Sequence, residues 1–408
     1  QQNPSSCTIL NCAFENADSP AIFMAGESNR IENCSFTNID FSGADLPNLI
    51  ASIYMRGVGS VFRYNTLTMA AASETLDPGA AAVLEYNLMS QTGLLQDDGA
   101  IFHITQPDQP GSVTRYNWVR DTEKMAARFD GPDGATNGAT THIDGTMHHN
   151  VEWGCNAGLM VKGDYHHIYN NTGFDSGIRN DIMVVSSTNT IEIANVHTMT
   201  RNNAAERIAG HRFNGIDTHP IPGTNDHNWN GYVTGLDIRT QLRDVDNLDF
   251  RPQASSALVD TGTNIAGITE GFHGLAPDLG AYEWNCTNYW IPGRKLTQAS
   301  LPIPGDASTN APGSTDLMWR EGYRATSHDV YLGLSSNAVA TAGHASAEFR
   351  GNQSNNIHTP VPLQAGTPYY WRVDAITHEQ TVTGNVWRFT PASSTPPPAV
   401  YGTGFRLR

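Results

Sequence analysis

The sequence predicts an all-β chain in which a parallel β-helix is followed by a small β-sandwich. Three observations lead to this prediction: a short motif built around Asn that recurs every 20 to 33 residues, short β-prone runs separated by turn residues, and a change of pattern after Pro302. A motif that recurs at this spacing indicates an array of one supersecondary unit, with a constant core and loops of different lengths.

The recurring motif consists of two or three bulky or β-branched residues, then Asn, then in most copies another apolar residue. Its copies read ILNCAF, IENCSF, FRYNTL, EYNLM, RYNWV, HHNVE and IYNNT, and their asparagines are Asn11, Asn33, Asn65, Asn87, Asn117, Asn150 and Asn170. Asn tolerates the left-handed conformation of a sharp turn, and its amide can bond to the same amide one coil above and below. We therefore expect one Asn per coil, stacked in a ladder.

Two other repeat architectures with units of this length are excluded. Helical pairs need long runs of helix formers with apolar residues three and four positions apart, but Gly, Asn, Thr and Asp interrupt every such run here. Leucine-rich repeats need a periodic Leu ladder, which the sequence lacks. A parallel β-helix remains, with clear coils predicted from the start of the sequence to about Thr200.

The composition narrows the classes of function. Of the 408 residues, 39% are hydrophobic and only 16% are charged, and the formal net charge is −16. A nucleic-acid or anionic-membrane partner would need a basic face, so neither is expected. No run of eighteen apolar residues is present, so no membrane insertion is predicted. The acidity and the richness in Asn and Gly favour a secreted or cell-surface protein, in an extracellular or periplasmic location.

The five cysteines are Cys7, Cys12, Cys34, Cys155 and Cys286. No Cys/Cys or Cys/His spacing indicates zinc, so no metal site is predicted from them. Cys12 and Cys34 follow the motif asparagines of adjacent coils, so we expect them to stack as small buried hydrophobes, with a disulfide as the alternative. The first coil begins at Cys7 and a solenoid needs a terminal cap, so we expect that an N-terminal cap has been removed.

The segment 248–284 carries a resemblance to known proteins. It is similar to the terminal coil of many secreted bacterial right-handed β-helix proteins. The matching residues are Phe250, Arg251, Ser256, Asp260, Gly262, Pro277, Asp278, Gly280, Ala281, Tyr282 and Glu283. The resemblance implies a right-handed parallel β-helix over residues 1–285, which would be the catalytic domain.

After the β-helix, residues 286–302 have the Pro, Gly and Ser content of a linker. Residues 303–391 contain STDLMWR, HDVYLGL, TPYYWRVDAI and GNVWRFTP, which are alternating or aromatic-rich runs typical of a small sandwich. They resemble a fibronectin type III-like domain of the kind appended to secreted carbohydrate-active enzymes. The aromatic residues of this domain are expected in its core, with sugar binding as the alternative. Residues 392–408 form a Pro-rich tail.

The central coils contain acidic residues at similar distances from the motif asparagines. Asp98 lies 11 residues after Asn87, Asp130 lies 13 after Asn117, and Lys162 lies 12 after Asn150. We therefore predict that these side chains stack on one face of successive coils, and Asp77 extends the column by the same count. Stacked carboxylates repel one another, so such a column needs a function or a cationic neighbour such as Lys162. The alternative is that insertions scatter these groups over solvated turns.

A second resemblance concerns this region. The segments LLQDDGAIF, PGSVTRYNWVRD, AARFDGPDG and GLMVKGDYHHIYNNT, in this order, resemble the active coils of β-helical glycoside hydrolases of the fucosidase and xylanase type. The resemblance implies that the first catalytic acid is Asp97 or Asp98 and the second is Asp130. Phe102 stands where Tyr is expected, and Ala100 replaces a Gly. The candidate substrate ligands are His103, Arg128, Asp133, His142, Asp144, Trp153, Lys162 and Arg179.

Two carboxylates are what glycoside hydrolysis requires, one protonated and one ionised, and the reaction needs no cofactor. We therefore expect an enzyme that cleaves a polysaccharide or oligosaccharide. One alternative is a polysaccharide lyase, with Lys162 as the base, Arg128 or Arg179 nearby, and calcium bound by Asp98 and Asp130. The other is a non-catalytic carbohydrate-binding or adhesive surface β-helix.

Overall fold

The computed structural model describes residues 5–42, 50–95, 98–105, 108–130, 143–177, 180–185, 195–210 and 220–393. The chain divides into two compact units. The first comprises Gln1–Gln241, Arg251–Cys286 and Pro292–Arg294, and the second comprises Leu242–Phe250, Thr287–Ile291 and Lys295–Arg408. None of the helices in the described segments is long and apolar enough to cross a membrane.

Three long parallel sheets of nine, nine and eight strands form the first unit over its described residues. Sheet 1 contains β1 (Thr8–Leu10), β4 (Arg30–Glu32), β7 (Val61–Arg63), β10 (Val83–Glu85), β13 (Val113–Arg115), β16 (Thr146–His148), β19 (His167–Tyr169), β22 (Met199–Arg201) and β25 (Thr224–Asp226). Sheet 2 contains β2 (Ala13–Ala17), β5 (Ser35–Ile39), β8 (Thr66–Ala70), β11 (Leu88–Ser90), β14 (Trp118–Arg120), β17 (Val151–Trp153), β20 (Thr172–Phe174), β23 (Ala204–Ala205) and β26 (Trp229–Asn230). Sheet 3 contains β3 (Ile22–Ala25), β6 (Ala51–Arg56), β9 (Glu74–Pro78), β12 (Ala100–Ile104), β15 (Met125–Phe129), β18 (Ala157–Val161), β21 (Ile182–Val184) and β24 (Ile208–Ala209).

Each of the first eight coils contributes one strand to each sheet in turn, and the ninth contributes β25 to sheet 1 and β26 to sheet 2. Within each sheet, every strand pairs with the strand of the neighbouring coil. This all-β arrangement with long parallel sheets fits the predicted parallel β-helix. After the last coil come α1 (Gly231–Thr234), a 3₁₀ turn at Ile238–Thr240, β27 (Leu242–Asp244), a second 3₁₀ turn at Val245–Asn247 and β28 (Asp249–Pro252).

The interior of the first unit is filled by columns of apolar side chains from equivalent positions of successive coils. In sheet 1, Ile31 pairs with Phe62, which pairs with Leu84, and each is at most 1% exposed. In sheet 2, the rings of Phe14 and Phe36 stack at 4.9 Å. Because a fully buried side chain of this size contributes about 1.5–3 kcal/mol, these columns are the main stabilising feature of the coils.

Each turn from sheet 1 to sheet 2 consists of two residues with different functions. The first residue has a positive φ, and this position holds Asn11, Asn33, Tyr64, Tyr86, Tyr116, His149, Asn170, Asn202 and His227. The second residue forms the amide ladder, which runs through Asn65, Asn87, Asn117, Asn150, Asn171, Asn203 and Asn228. In the ladder each backbone N–H donates to the side-chain oxygen of the next coil, at 2.8–3.2 Å.

The predicted ladder is present, and four of the seven predicted residues form it: Asn65, Asn87, Asn117 and Asn150. The other three lie one position earlier, where Asn33 Nδ2 donates to Asn11 Oδ1 at 2.6 Å and Asn202 Nδ2 donates to Asn170 Oδ1 at 3.3 Å. Asn11, Asn33 and Asn170 occupy the left-handed position, and the ladder residue is the one that follows each of them. In the first two coils that residue is Cys12 or Cys34. The Cys12 N–H donates to Cys34 Sγ at 3.4 Å, and the Cys34 N–H donates to Asn65 Oδ1 at 2.8 Å. Both cysteines are free, and Cys34 is buried as expected while Cys12 is exposed.

One carboxyl group lies inside the solenoid, at Glu152 of β17. Glu152 pairs with the core residue Val119 on one side and with Gly173 on the other, and it is 1% exposed. Neither of its carboxylate oxygens has a hydrogen-bond partner among the described residues. Gly173 leaves room for it, since a Cβ there would lie 2.2 Å from Glu152 Oε1. Burial raises the pKa of Glu152 well above its ordinary value, and the nearby carboxylates of Asp181, Glu206 and Asp175 raise it further.

Replacing Glu152 by Gln is expected to stabilise the protein above neutral pH. Because the folded pKa exceeds the unfolded value of about 4.3, the native state keeps a proton that the unfolded chain releases. The stabilising contribution of Glu152 is therefore complete at low pH and is lost as the pH rises toward the folded pKa. Burial acts with the same sign on Asp181 and Glu206, whose pKa values are raised to about 6 and about 7.

For Glu152→Gln we expect a gain of about 1–4 kcal/mol in the free energy of unfolding at about pH 8, and a smaller gain at about pH 5. Urea denaturation at the two pH values measures both. The matched control is Glu123→Gln, which changes an exposed acid in the neighbouring coil. Equal pH dependence in the wild type and Glu152→Gln would show that Glu152 does not hold this proton.

The second unit is antiparallel. One sheet contains β29 (Ser300–Ile303), β30 (Leu317–Arg320) and β33 (Ile357–His358). The other contains β31 (Ser327–Gly333), β32 (Phe349–Gln353), β34 (Tyr369–Ile376), β35 (Thr381–Val382) and β36 (Val386–Phe389), and α2 spans Ser336–Thr341. The aromatic residues Trp319, Trp371, Trp387 and Phe389 lie in one hydrophobic cluster, each at most 6% exposed, as expected for core positions.

Candidate functional site

The outer face of sheet 3 carries a column of polar side chains over the central coils. Side chains alternate between the two faces of a strand. The core positions of β9, β12 and β15 include Leu76, Phe102 and Ala127, which pair with one another. The residues that follow them, Asp77, His103 and Arg128, therefore lie side by side on the outer face.

Six charged side chains form what we call the charged cluster: Glu74, Asp98, His103, Arg128, Asp130 and Lys162. Asp130 is its centre. Its Oδ1 lies 2.8 Å from Lys162 Nζ, and its Oδ2 accepts hydrogen bonds from Arg128 Nη2 and, at 3.2 Å, from His103 Nε2. The other imidazole nitrogen of His103 contacts Glu74, and Arg128 Nη1 donates to Asp98 Oδ1 at 2.8 Å. Three cations are therefore balanced by three carboxylates.

The cluster fixes the charge of its members. Burial alone would raise the pKa of Asp130, but His103, Arg128 and Lys162 hold that pKa far below its ordinary value. Burial alone would lower the pKa of His103, yet the contacts with Asp130 and Glu74 outweigh it and raise the pKa to about 9. For Asp98, Arg128 likewise outweighs burial, and the pKa is lowered. Asp130 and Asp98 are therefore carboxylates at neutral pH, and His103 is an imidazolium.

The charged cluster borders an open cleft of about 490 Å³ on the same face of sheet 3. The cleft is lined by Ile50, Arg56, Gly57, Val58, Glu74, Asp77, Gly79, Ala80, Thr105 and Asp108. Glu74 belongs to both the cleft and the cluster. Gly57 and Gly79 allow the coils to approach closely, because a Cβ at Gly57 would lie 1.8 Å from the Gly26 carbonyl oxygen and one at Gly79 would lie 2.2 Å from that of Gly57.

Two carboxyl groups of the cleft have different surroundings. Asp77 Oδ2 accepts a hydrogen bond from Arg56 Nε at 2.8 Å. Burial raises the pKa of Asp108, and the nearby Asp77 carboxylate raises it further. A weak hydrogen bond from the Thr105 hydroxyl, at 3.4 Å, and the nearby Arg56 guanidinium oppose these effects without outweighing them. The cleft therefore combines an ion-paired carboxylate, Asp77, with a neighbouring carboxyl group, Asp108, whose pKa is raised.

The predicted column of Asp77, Asp98, Asp130 and Lys162 is only partly correct. Asp130 and Lys162 follow the paired residues Phe129 and Val161, so they are neighbours in one column. Asp77 lies two positions earlier, beside His103. Asp98 precedes β12 and is not in the column, because the connection from Ser90 to Ala100 is longer than that from Arg120 to Met125. Its side chain, 84% exposed, joins the group only through Arg128.

Of the residues predicted as substrate ligands, His103, Arg128 and Lys162 lie in the charged cluster, and Asp144 and Trp153 lie outside it. Asp144 precedes β16 of sheet 1, and its side chain lies 3.5 Å from His167 Nε2. Trp153 is on sheet 2, where its ring stacks on Phe174 at 6.1 Å. Neither side chain therefore belongs to the charged cluster, and their role as substrate ligands stays a prediction. Trp118, which pairs with Val151 in the same sheet, is 1% exposed. Asp97, Asp133, His142 and Arg179 lie outside the described residues.

Glu74, Arg56 and Asp108 were not among the predicted site residues. Glu74 and Arg56 lie on β9 and β6, one and two coils before the segments that carry the resemblance to glycoside hydrolases. Asp108 comes after the end of β12, in a short polar stretch whose sequence predicts a loop. The signal that could have found Glu74 is the polar composition of the strand ETLDP, which contains the two acids Glu74 and Asp77.

The described residues contain no group of three or more His, Cys, Asp or Glu side chains arranged to hold a metal ion. The calcium ligands of the lyase alternative, Asp98 and Asp130, both bind the Arg128 guanidinium, so this donor set does not fit calcium.

Comparison with known proteins adds no family to this description. No protein-family model, no curated protein and no solved structure matches the chain. The site is therefore interpreted from its own geometry.

Proposed function

We propose that this chain is a glycoside hydrolase that binds a polysaccharide or oligosaccharide along the outer face of sheet 3. The observation that carries the proposal is the cleft, where Asp77 and Asp108 lie close enough to influence each other and yet differ in their partners. Glycoside hydrolysis requires one protonated and one ionised carboxyl group beside the same linkage. Neighbouring carboxyl groups whose surroundings separate their protonation states are the arrangement that supports this chemistry.

In this proposal Asp108 is the general acid and Asp77 is the anionic partner. Asp108 would protonate the glycosidic oxygen, since burial and the neighbouring Asp77 carboxylate raise its pKa above the ordinary value of an Asp. Asp77, which Arg56 holds in place at 2.8 Å, would attack the anomeric carbon or activate a water. The pair predicted from the sequence, Asp98 and Asp130, lacks a candidate acid because both pKa values are lowered.

The charged cluster would act on the substrate from one side of the cleft. Asp98, the most exposed carboxylate of the cluster, presents a group that binds sugar hydroxyls, and the Arg128 guanidinium that it contacts holds it in place. Asp130 would be a positioning residue, since it holds three cations in place and is only 18% exposed. The ion pairing within the charged cluster also argues against a lyase. His103 is protonated, and Lys162 is ion-paired and 5% exposed, so neither is available as a base.

A panel of plant and algal polysaccharides tests the proposal. We expect reducing ends to appear with at least one neutral or acidic glycan, such as xylan, fucoidan, polygalacturonate or alginate, and we expect the rate to persist in chelator. Products with the ultraviolet absorbance of an unsaturated uronate, lost in chelator, would identify a lyase instead. Retention of a glycan without any new reducing ends would identify a binding protein.

The second unit supports the same proposal indirectly. Its antiparallel sheets and shared aromatic core suit a fibronectin type III-like β-sandwich, and such domains accompany secreted enzymes that act on carbohydrates. We therefore also propose that the protein is secreted or lies at the cell surface, and that a right-handed β-helix holds its catalytic residues.

A further inference from the structure

The column of sheet 3 that includes Asp77 begins with an exposed aromatic ring. Phe23 pairs with Tyr54, and Tyr54 pairs with Asp77. The flanking residues Ile22 and Ile53 point into the core, so Phe23 and Tyr54 face outward. Since neighbouring strands are about 4.8 Å apart, Phe23 lies about 10 Å from Asp77 along the same face.

Phe23 is held in place although most of its ring contacts solvent. Phe23 is 61% exposed, while its neighbour Tyr54 is fully buried. The two rings are 5.3 Å apart and inclined by 40°, and the Arg56 guanidinium lies 6.0 Å from the Phe23 ring and 4.6 Å from the Tyr54 ring. Arg56 also binds Asp77, so the aromatic ring and the proposed catalytic carboxylate share one supporting side chain.

The outer face of sheet 3 is open on the side of Phe23 and closed on the other. Beyond Arg128 the column continues with Met160 and Met183, which are at most 1% exposed. Ile50 and Val58, which line the cleft on the side toward Phe23, are 44% and 53% exposed. A long ligand bound in the cleft can therefore extend over Phe23.

We propose that Phe23 is a sugar-stacking platform, and that a pyranose ring of a glycan chain bound in the cleft lies on its exposed ring, about the length of a disaccharide from the bond that is cleaved. This inference rests on the proposed function. One face of a pyranose ring consists of C–H groups, which pack on an aromatic ring while the hydroxyls stay at the edge. The platform makes the substrate an oligosaccharide or polysaccharide rather than a short glycoside.

The test compares substrates of different length with Phe23→Ala. We expect kcat/KM to fall roughly three- to tenfold on a polysaccharide hydrolysed in the panel, the range of one aromatic contact, mostly through a higher KM. We expect no change on an aryl monoglycoside of the same sugar, because it does not reach Phe23. Phe23→Trp should restore the rate on the polymer. The control is Leu275→Ala, which removes another exposed apolar side chain, 91% exposed, from the same unit.

Binding is measured separately from turnover by native electrophoresis in gels that contain xylan, fucoidan, polygalacturonate or alginate. The wild type should be retarded by at least one of them, Phe23→Ala should lose much of that retardation, and Phe23→Trp should keep it. Retardation that depends on Phe23 without hydrolysis would overturn the proposed function and support the platform. Equal behaviour of Phe23→Ala and the wild type, in rate and in retardation, would overturn the platform alone. Absence of both hydrolysis and retardation with every glycan would overturn both.

Discussion

Replacing Asp108 by Asn is expected to lower kcat on an unactivated glycan by about 10²–10⁴-fold, the usual contribution of a general acid or base. The amide has the size of the carboxyl group but cannot deliver the proton that the departing oxygen needs. An aryl glycoside with an acidic phenol as its leaving group does not need that proton, so on this substrate the variant should retain most of its rate. The comparison of the two substrates separates a lost acid from a misfolded site.

Asp77→Asn should differ from Asp108→Asn in its rate on the aryl glycoside. It removes the attacking or water-activating carboxylate, so the rate falls on both substrates, and added azide should restore part of it by replacing the lost anion. The control is Asp121→Asn, which changes an acid on sheet 2 whose side chain is 51% exposed and pairs only with its neighbour Arg120 among the described ion pairs. We expect full activity from this control.

The pair predicted from the sequence is tested in the same series. Asp98→Asn leaves an exposed amide beside Arg128, and we expect a moderate loss through KM. Asp130→Asn removes the charge that three buried cations share. The variant should therefore be inactive, and its free energy of unfolding should fall by about 3–5 kcal/mol, the cost of breaking a buried ion pair. A large loss of kcat in Asp98→Asn at unchanged stability, together with normal rates in Asp77→Asn and Asp108→Asn, would return the catalytic role to the sequence-predicted pair.

The solenoid could be predicted because its signals are local. Positions next to a sharp turn require Asn or another residue that tolerates a left-handed backbone, and inward positions require apolar side chains, so both recur at coil spacing. The one-residue error at Asn170 has a physical reason: Asn170 and Asn171 are adjacent, and both the left-handed position and the ladder position accept Asn. The sequence alone does not distinguish these two uses of the same side chain.

The site was predicted less completely because it depends on register between coils. Asp130 and Lys162 were placed together correctly, since β15 and β18 have equal lengths and pair residue for residue. Counting failed at Asp98, where the longer connection before β12 changes the offset from the ladder Asn. The role of Glu74 required knowing that β9 lies beside β12, which brings Glu74 to His103. No short motif in the sequence carries that information.

Replacing Asn117 by Leu is expected to cost about 3–5 kcal/mol of unfolding free energy, although the two side chains are similar in size. Asn117 is fully buried, and its side-chain amide makes four hydrogen bonds. Its Oδ1 accepts from the Asn87 N–H at 2.9 Å and from Asn87 Nδ2 at 3.0 Å, while its Nδ2 donates to the Leu84 carbonyl at 2.9 Å and to Asn150 Oδ1 at 3.0 Å. Leucine would leave these partners buried and unpaired.

Each buried polar group left without a partner costs about 1–3 kcal/mol, and several would be created at once. The loss should therefore exceed that of an ordinary surface substitution by several fold, and urea denaturation followed by far-ultraviolet circular dichroism measures it. Asn156→Leu is the matched control, since its amide makes one exposed hydrogen bond, to the Glu123 carbonyl at 3.2 Å, and it should change stability by less than about 1 kcal/mol. If the two variants lose equal stability, the coils are held by their apolar columns alone. A ladder that contributes to stability must lose more, because a break at its centre leaves donors and acceptors unpaired on both sides.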